Sequence, residues 1–123
     1  MNRPKKGALH LTDRAVSDLQ EIHAYSMATW GRRTATKYMK DFESVLDRLA
    51  ANPSLLRLEP SFLEGLYFYR VAKHLIVCDA KDTDVIVLAV LSTSMDIVGR
   101  LAELEPRLQA EAALLRSKLY RKS

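Results

Sequence analysis

Residues 30–53, WGRRTATKYMKDFESVLDRLAANP, decide the fold of this chain. Apolar side chains recur within them at steps of three and four, which is the spacing of one face of an α-helix. The members of this stripe are Ala35, Tyr38, Met39, Phe42, Val45, Leu46 and Leu49. The pair Asn52-Pro53 ends the helix, because proline has no amide hydrogen and disfavours helical geometry in the residue before it.

An earlier helix is predicted on the other side of Gly31. It begins at Thr12 or Asp13, either of which offers a side-chain oxygen as a cap. Gly31 ends it, because glycine tolerates a positive φ. Its expected buried stripe consists of Ala15, Leu19, Ile22, Ser26 and Trp30. Two helices joined by so tight a turn pack as an antiparallel hairpin, and the loose alternation of residues 8–11 predicts an edge strand before it.

After the hairpin the hydrophobic period changes from helical to that of strands. Residues 66–71, 74–78 and 85–91 are rich in β-branched, aromatic and aliphatic side chains, and polar turns separate them at 72–73 and 81–84. The predicted class is therefore α+β, with the hairpin on one face of a mainly antiparallel sheet. The last strand is apolar on both faces, which predicts an internal position.

A helical period returns after Ser94. Its apolar members are Ile97, Leu101, Leu104, Leu108, Ala112, Leu115 and Leu119, with Pro106 expected to kink or restart the helix. We assign residues 1–101 to the main domain and residues 102–123 to a helical extension of it. Two interpretations stay open: the helix lies across the domain, or its leucines form a seam for a homodimer or another partner.

The net charge is +4, and its distribution matters more than its size. Residues 1–6 and 97–123 each sum to +3, whereas residues 7–96 hold ten bases and twelve acids. This partition weakens the inference of nucleic-acid binding that a basic protein invites. No apolar run approaches the ~20 residues that span a bilayer and no signal segment is present, so we expect a cytoplasmic protein without membrane association.

No residue pattern predicts a metal, a cofactor or a covalent catalyst. Three scattered histidines and the single Cys78 make no ligand set, and a buried, inert thiol is expected. Arg70, Lys73 and His74, around one strand turn, could supply the base, acid and cations of RNA cleavage. We favour a structural or partner-contact role for them, because only three bases lie nearby in a segment of negative net charge, and we assign no catalytic residue.

The order of these features resembles the ParE toxins of the ParE/RelE superfamily over roughly residues 8–101. The residues that carry the resemblance are Leu11-Thr12, Asp18-Leu19, Ile22, Tyr25, Trp30-Gly31, Tyr38, Phe42, Leu49-Ala50, Asn52-Pro53, Glu64-Gly65, Lys73-His74-Leu75-Ile76-Val77, Val90-Leu91 and Ser94-Met95-Asp96. The resemblance implies the toxin of a type II toxin–antitoxin system, with plasmid or chromosome stabilisation as its setting. It also implies a ParD-like antitoxin with a ribbon-helix-helix DNA-binding part.

The resemblance further implies a target, because ParE toxins poison DNA gyrase whereas the RelE branch cleaves mRNA on the ribosome. The RelE branch depends on a cluster of bases that this chain lacks, so gyrase inhibition by direct binding is expected. A RelE-like ribosome-dependent endoribonuclease is the alternative, and a non-toxic binding module is a third possibility. Ser92 and Tyr67 depart from the histidine and arginine that ParE sequences commonly carry there, which puts the target and potency in doubt.

Two sets of contact residues follow as expectations. The candidates for target contact are Arg70, Lys73, His74, Ser92, Met95 and Asp96. The candidates for antitoxin contact are Leu19, Trp30, Tyr38, Leu101, Leu108 and Leu115.

Overall fold

The computed structural model describes residues 9–58, 66–81, 84–94 and 96–120. The elements are β1 (Leu9–Leu11), α1 (Asp13–Trp30), α2 (Arg32–Ala51), a 3-10 turn (Pro53–Leu55), β2 (Arg57–Leu58), β3 (Tyr67–Val71), β4 (His74–Lys81), β5 (Asp84–Ser92) and α3 (Ile97–Tyr120). Within these ranges five strands form one sheet in the order β1-β5-β4-β3-β2. β1 is parallel to β5, and all other neighbours are antiparallel. The predicted α+β class is confirmed.

α1 begins at a threonine that also attaches the helix to the sheet. The hydroxyl oxygen of Thr12 accepts a hydrogen bond from the Ala15 amide at 3.1 Å, which is the N-cap bond. The amide of Thr12 donates to the Val87 carbonyl at 3.1 Å, and its hydroxyl donates to the Leu88 carbonyl at 3.2 Å. Of the two predicted caps, Thr12 is therefore the one used.

A single residue connects α1 to α2. Gly31 has a φ of 93°, a left-handed value that strains any residue with a Cβ. Its amide donates to the Met27 carbonyl at 3.0 Å and closes α1. So short a connection reverses the chain direction, and the predicted antiparallel hairpin is confirmed.

The hairpin covers one face of the sheet. Its buried residues pack with those that the strands point toward it, and the core members are Ala15, Ile22, Phe42, Val45, Leu49, Leu56, Val71, Ile76, Cys78, Val85, Val87 and Val90. The predicted α2 stripe is thus largely buried. Burial raises the pKa of the Cys78 thiol, which keeps it protonated and inert.

The predicted stripe of α1 is wrong at its end, where Trp30 is 56% exposed. α1 runs in the direction of β5, because Thr12 bonds at Val87 and the Asp18 carboxylate accepts the Val90 amide at 2.9 Å. β5 stops at Ser92, whereas α1 continues to residue 30. At about 1.5 Å per helical residue and about 3.3 Å per strand residue, α1 overhangs the sheet by roughly 10 Å, so its last turn has no sheet to pack on.

α3 covers the opposite face of the sheet. Its buried side chains Leu101, Leu104, Leu108 and Ala112 meet a second cluster from the strands, consisting of Leu66, Phe68, Leu75, Val77, Ile86, Leu88, Ala89 and Leu91. Two ion pairs lie beside this cluster: Arg14 with Glu111 at 3.1 Å, and Arg116 with Asp79. Of the two interpretations of α3, packing across the domain is the one that the structure shows.

This packing corrects two of the predicted contact residues. Leu101 is 1% exposed and Leu108 is 0% exposed, so neither can contact an antitoxin or a second copy while α3 is in place. The reason is that β5 is apolar on both faces and the hairpin covers only one of them. α3 also continues through Pro106 and across the 101/102 boundary without a break, so the expected restart does not occur.

The sheet differs from expectation in its details. β5 is internal, between β1 and β4, and its residues 85–91 are buried, as predicted. The 3-10 turn and the two-residue β2 were not predicted, because an exposed strand of that length carries no periodic signal. Of the turn expected at 81–84, Lys81 ends β4 and Asp84 begins β5. Residues 82–83 and the Glu64-Gly65 segment lie outside the described residues.

Candidate functional site

The turn between β3 and β4 forms the centre of the candidate site. Val71 and His74 are paired across it, and Ala72 has a φ of 52°, a left-handed value that is unfavourable for a residue with a Cβ. The segment after β5 holds the turn in place, because the amide and hydroxyl of Thr93 both donate to the Lys73 carbonyl, at 2.9 and 3.0 Å. The turn is thus fixed by bonds to a distant part of the chain.

His74 is held between this turn and α2. The Tyr38 hydroxyl lies 2.7 Å from Nδ1 of His74, and the centres of the Tyr38 and Phe42 rings lie 5.7 and 5.8 Å from that of the imidazole. Burial lowers the pKa of His74 and raises that of Tyr38. The two shifts favour a neutral imidazole whose Nδ1 accepts a hydrogen bond from the neutral Tyr38 hydroxyl. We call Tyr38, Lys73, His74 and Ser92 the turn site.

Ser92 and Asp96 are occupied by local bonds. Ser92 is paired with His74 across β4 and β5, and its hydroxyl lies 2.8 Å from that of Ser94, whose amide donates to it at 3.2 Å. A carboxylate oxygen of Asp96 accepts the Gly99 amide at 3.2 Å, so Asp96 caps the start of α3. Ser92 therefore stabilises the segment after β5, and Asp96 stabilises the start of α3.

The structure brings together most of the predicted target-contact residues. Lys73, His74 and Ser92 meet at the turn site, and Arg70 is exposed beside it with its Nε donating to the Ala72 carbonyl at 3.1 Å. Asp96 follows at the start of α3, and Met95 lies outside the described residues. Whether any of these side chains contacts a target stays a prediction.

The predicted antitoxin-contact residues separate into four places. Trp30 is on the overhanging end of α1, Leu19 is half-buried on the hairpin, and Tyr38 belongs to the turn site. Leu101 and Leu108 are in the core under α3, and Leu115 is half-buried at its edge. They do not form one surface.

Sequence reasoning missed the basic residues at the start of α2. Arg32, Arg33, Lys37 and Lys40 line one open depression together with Thr36. Because Tyr38 follows directly after Lys37 and bonds to His74, this part of α2 lies at the same end of the fold as the turn site. The absence of any acid between residues 31 and 40 was the available signal.

A half-buried carboxylate, that of Asp18, connects the site to α1. Burial raises the pKa of Asp18, while its hydrogen bond from the Val90 amide and the nearby Arg14 act in the opposite direction. Asp18 therefore fixes α1 to the strand that carries Ser92. Its role is to position elements.

The part of the chain that the structure describes contains neither a metal-binding cluster nor a helix that could span a membrane. No group of three or more histidine, cysteine or acidic side chains there could hold a metal ion. No helix there is long and apolar enough to cross a membrane.

With this geometry established, comparison with known proteins shows the family. The sequence pattern of a family described as the ParE toxin of the type II toxin-antitoxin system, parDE, matches residues 9–97. The chain belongs to this family. The resemblance stated from the sequence is thereby confirmed, and almost all of α3 lies beyond the matched residues.

Individual relatives agree with this assignment. Toxin ParE of Escherichia coli is 29% identical over 94 residues, which cover 76% of this chain and 91% of that protein. The chromosomal ParDE toxin–antitoxin system of P. aeruginosa contains a chain with a TM-score of 0.62 and 18% identity, covering 70% of this chain and 95% of that one. The RelBE2 toxin–antitoxin complex of Mycobacterium tuberculosis contains a chain with a TM-score of 0.50 and 17% identity, covering 75% of this chain and 97% of that one. These two likenesses concern the fold.

Proposed function

We propose that this member of the ParE family inhibits DNA gyrase by direct binding and is neutralised by a ParD-like antitoxin in the cytoplasm. The observation that carries the proposal is the turn site, where a strained turn is fixed by Thr93 after β5 and by Tyr38 of α2. It presents the exposed cation Lys73, and Arg70 is exposed beside it. A rigid, preformed surface of this kind suits binding, because little conformational entropy is lost when a partner docks.

The bonds within the turn site favour binding over catalysis. Nδ1 of His74 faces the Tyr38 hydroxyl, and the Ser92 and Ser94 hydroxyls face each other. Groups engaged in this way hold the loop segments together, whereas a general base needs a lone pair directed at its substrate. The exposed cations Arg70 and Lys73 therefore provide the target contacts.

The antitoxin contact belongs on the exposed side of α1. Val16, Met27 and Trp30 are exposed there, and Leu19 and Met39 line a shallow depression beside them. Apolar residues at such helical spacing fit an amphipathic helix of a partner. Toxin–antitoxin complexes among the structural neighbours support a partner of this type.

The gyrase proposal is tested with the purified chain in an ATP-dependent supercoiling assay. We expect inhibition, its reversal by the antitoxin, and at least a tenfold loss of potency in the Arg70→Ala/Lys73→Ala variant. The matched control Arg48→Ala/Arg107→Ala removes two exposed cations elsewhere and should stay potent. Relaxation of the same plasmid by a type I topoisomerase should be unaffected; equal inhibition of both enzymes, or of neither, would reject gyrase as the target.

The endoribonuclease alternative rests on one observation. Arg70, Lys73 and a neutral His74 imidazole lie around a single turn. A defined message translated with the chain would be cut at mappable sites if it were correct, and the His74→Gln variant would leave the message intact. An uncut message with the wild-type chain eliminates this alternative. Absence of growth arrest on expression would instead favour a non-toxic binding module.

A further inference from the structure

The charges of residues 7–96 are separated in space, although their sum is close to neutral. Six of the ten bases in this segment are at the end of the fold that carries the turn site, namely Arg32, Arg33, Lys37, Lys40, Arg70 and Lys73. We call these six residues the basic end. Asp47 near the end of α2, Asp79 in β4 and Asp84 at the start of β5 are at the other end of the same elements. Asp41, which pairs with Lys37, and Asp96 are the acids at the basic end. A negative sum along the chain therefore hides an excess of bases at one end of the fold.

The overhang of the hairpin creates this surface. α1 continues past the end of β5, and α2 starts there and returns toward the sheet, reaching it where Tyr38 bonds to His74. The first turns of α2 consequently project beyond the turn that carries Arg70 and Lys73. Cations from a helix and from a strand turn thus lie at one end of the molecule.

Most of these cations are not neutralised. Lys37 pairs with Asp41 at 3.3 Å, whereas Arg32, Arg33 and Lys40 form no ion pair with any residue that the structure describes. All four side chains are exposed. The first turn of α2 holds no acid, so its bases lie at the positive end of the helix dipole, which is unfavourable for folding. An arrangement that opposes folding and leaves charge free in this way is suited to an anionic ligand.

Two exposed aromatic rings adjoin the cations. Tyr25 is 63% exposed and Trp30 56% exposed, and their rings pack edge to face with centroids 5.7 Å apart. Trp30 is separated from Arg32 by Gly31 alone. Open rings beside unpaired cations form the combination that binds phosphates and stacks bases in single-stranded nucleic acids.

We propose that the basic end binds the phosphodiester backbone of nucleic acid, with Tyr25 and Trp30 as a stacking platform for unpaired bases. This contact is made by the toxin alone and does not depend on gyrase being its target. An acidic protein segment would satisfy the cations without using the flat ring faces, so nucleic acid accounts for more of the surface.

The test is equilibrium binding of the full-length chain to three labelled 20-mers: duplex DNA, single-stranded DNA and single-stranded RNA. We expect binding that weakens with salt, and a smaller salt dependence for Arg32→Ala/Arg33→Ala/Lys40→Ala. An increase from 50 to 200 mM salt should weaken duplex binding of the wild type roughly 40-fold more than that of the variant, because the variant has lost three phosphate contacts. The control Arg48→Ala/Arg107→Ala/Lys118→Ala removes the same charge from exposed positions elsewhere and should follow the wild type.

Trp30→Ala tests the stacking platform, because it removes one of the two rings. Stacking requires unpaired bases, which the single strands have and the duplex lacks. The substitution should weaken binding to both single strands about tenfold or more and leave duplex binding nearly unchanged. Trp30 is the only tryptophan, so quenching of its fluorescence reports directly on this surface. Comparison of single-stranded DNA with single-stranded RNA shows whether the sugar contributes to the affinity.

Three results would overturn the proposal. The wild type would bind none of the 20-mers at 50 mM salt, or the two triple variants would bind equally, or polyglutamate of the same length would compete as well as the oligonucleotides. The last result would assign the surface to an acidic protein. Folding does not confound these outcomes, because removing bases from the start of α2 should maintain or raise the melting temperature, which is measured on the same samples.

Discussion

The two faces of the sheet are covered in different ways. On the hairpin face, polar side chains of α1 bond to strand backbone: Thr12 to the Val87 and Leu88 carbonyls, and Asp18 to the Val90 amide. The described polar links of α3 are ion pairs between side chains, Glu111 with Arg14 of α1 and Arg116 with Asp79 of β4. Both faces are closed by apolar packing, but only the first is also tied to the main chain of the sheet.

This difference coincides with the end of the residues that match the family pattern. The matched residues 9–97 contain the whole hairpin face, and α3 extends beyond them. Bonds to backbone survive most substitutions in the strands, whereas an ion pair requires two particular side chains. The hairpin face thus lies within the matched residues, whereas Glu111 and Arg116, which form the ion pairs of α3, lie beyond them.

The largest expected effect concerns the apolar packing that the two faces share. Phe42→Ala on the hairpin face should lower the free energy of unfolding by about 3–5 kcal/mol, and Leu108→Ala on the α3 face by about 2–5 kcal/mol, because each leaves a cavity. Urea denaturation measures both. Leu114→Ala, at a position 60% exposed on α3, is the control and should change stability by less than about 0.5 kcal/mol. A neutral Leu108→Ala would mean that α3 does not stabilise the domain.

A second prediction separates the faces by their polar links. Asp79→Ala should cost about 1–3 kcal/mol, because it leaves the partly buried Arg116 guanidinium without its carboxylate. Nε and Nη2 of Arg116 already have no partner among the described residues. Asp79→Leu/Arg116→Met should recover most of the loss, since it removes both charges. If the double variant is as unstable as the single one, the ion pair is not the cause.

A third prediction applies to the hairpin face. Thr12→Ala removes the N-cap oxygen of α1 and the hydroxyl bond to the Leu88 carbonyl, and should cost about 1 kcal/mol. Thr12→Ser keeps the oxygen and should retain most of the stability. Chemical denaturation of the three proteins in parallel gives the comparison; equal losses in both variants would assign the effect to the lost methyl group.

The smallest effect is a dependence on pH at the hairpin face. The folded-state pKa of His74 is below the ordinary 6.5 because the ring is buried, so the unfolded chain binds the proton more tightly. The free energy of unfolding should therefore rise as the pH increases from the folded-state pKa of His74 to 6.5. This stability is lost again as the pH falls through the folded-state pKa. His74→Gln should flatten that part of the profile. An unchanged profile would place the titration in another group.

The sequence predicted the parts of the fold that periodicity reports. The stripes of α2 and β5 identify faces that must be buried, and Gly31 and Pro53 mark ends that follow from covalent geometry. The exposure of Trp30 was missed, since a helical period does not reveal where the sheet beneath it ends. The packing partner of α3 was left undecided, because a stripe of leucines looks the same whether it packs within the chain or against another protein.

The candidate site was predicted less completely for a related reason. Lys73, His74 and Ser92 could be proposed together because they flank strand ends close in the chain or share a motif. Tyr38 was assigned to an antitoxin surface, although it meets His74 from a different element. Net charge over residues 7–96 did not reveal the basic end, because a sum along the chain contains no information about which charges share an end of the fold.

The bonds from Thr93 to the Lys73 carbonyl also set a condition on biosynthesis. The turn that presents the cations is complete only when Thr93, 20 residues after Lys73, has been made and β5 has paired. A nascent chain that ends before β5 contains the sequence of the hairpin and the basic start of α2, but no fixed turn. The interval between translation of α1 and closure of the sheet is therefore one in which a partner can meet the hairpin before the turn site exists.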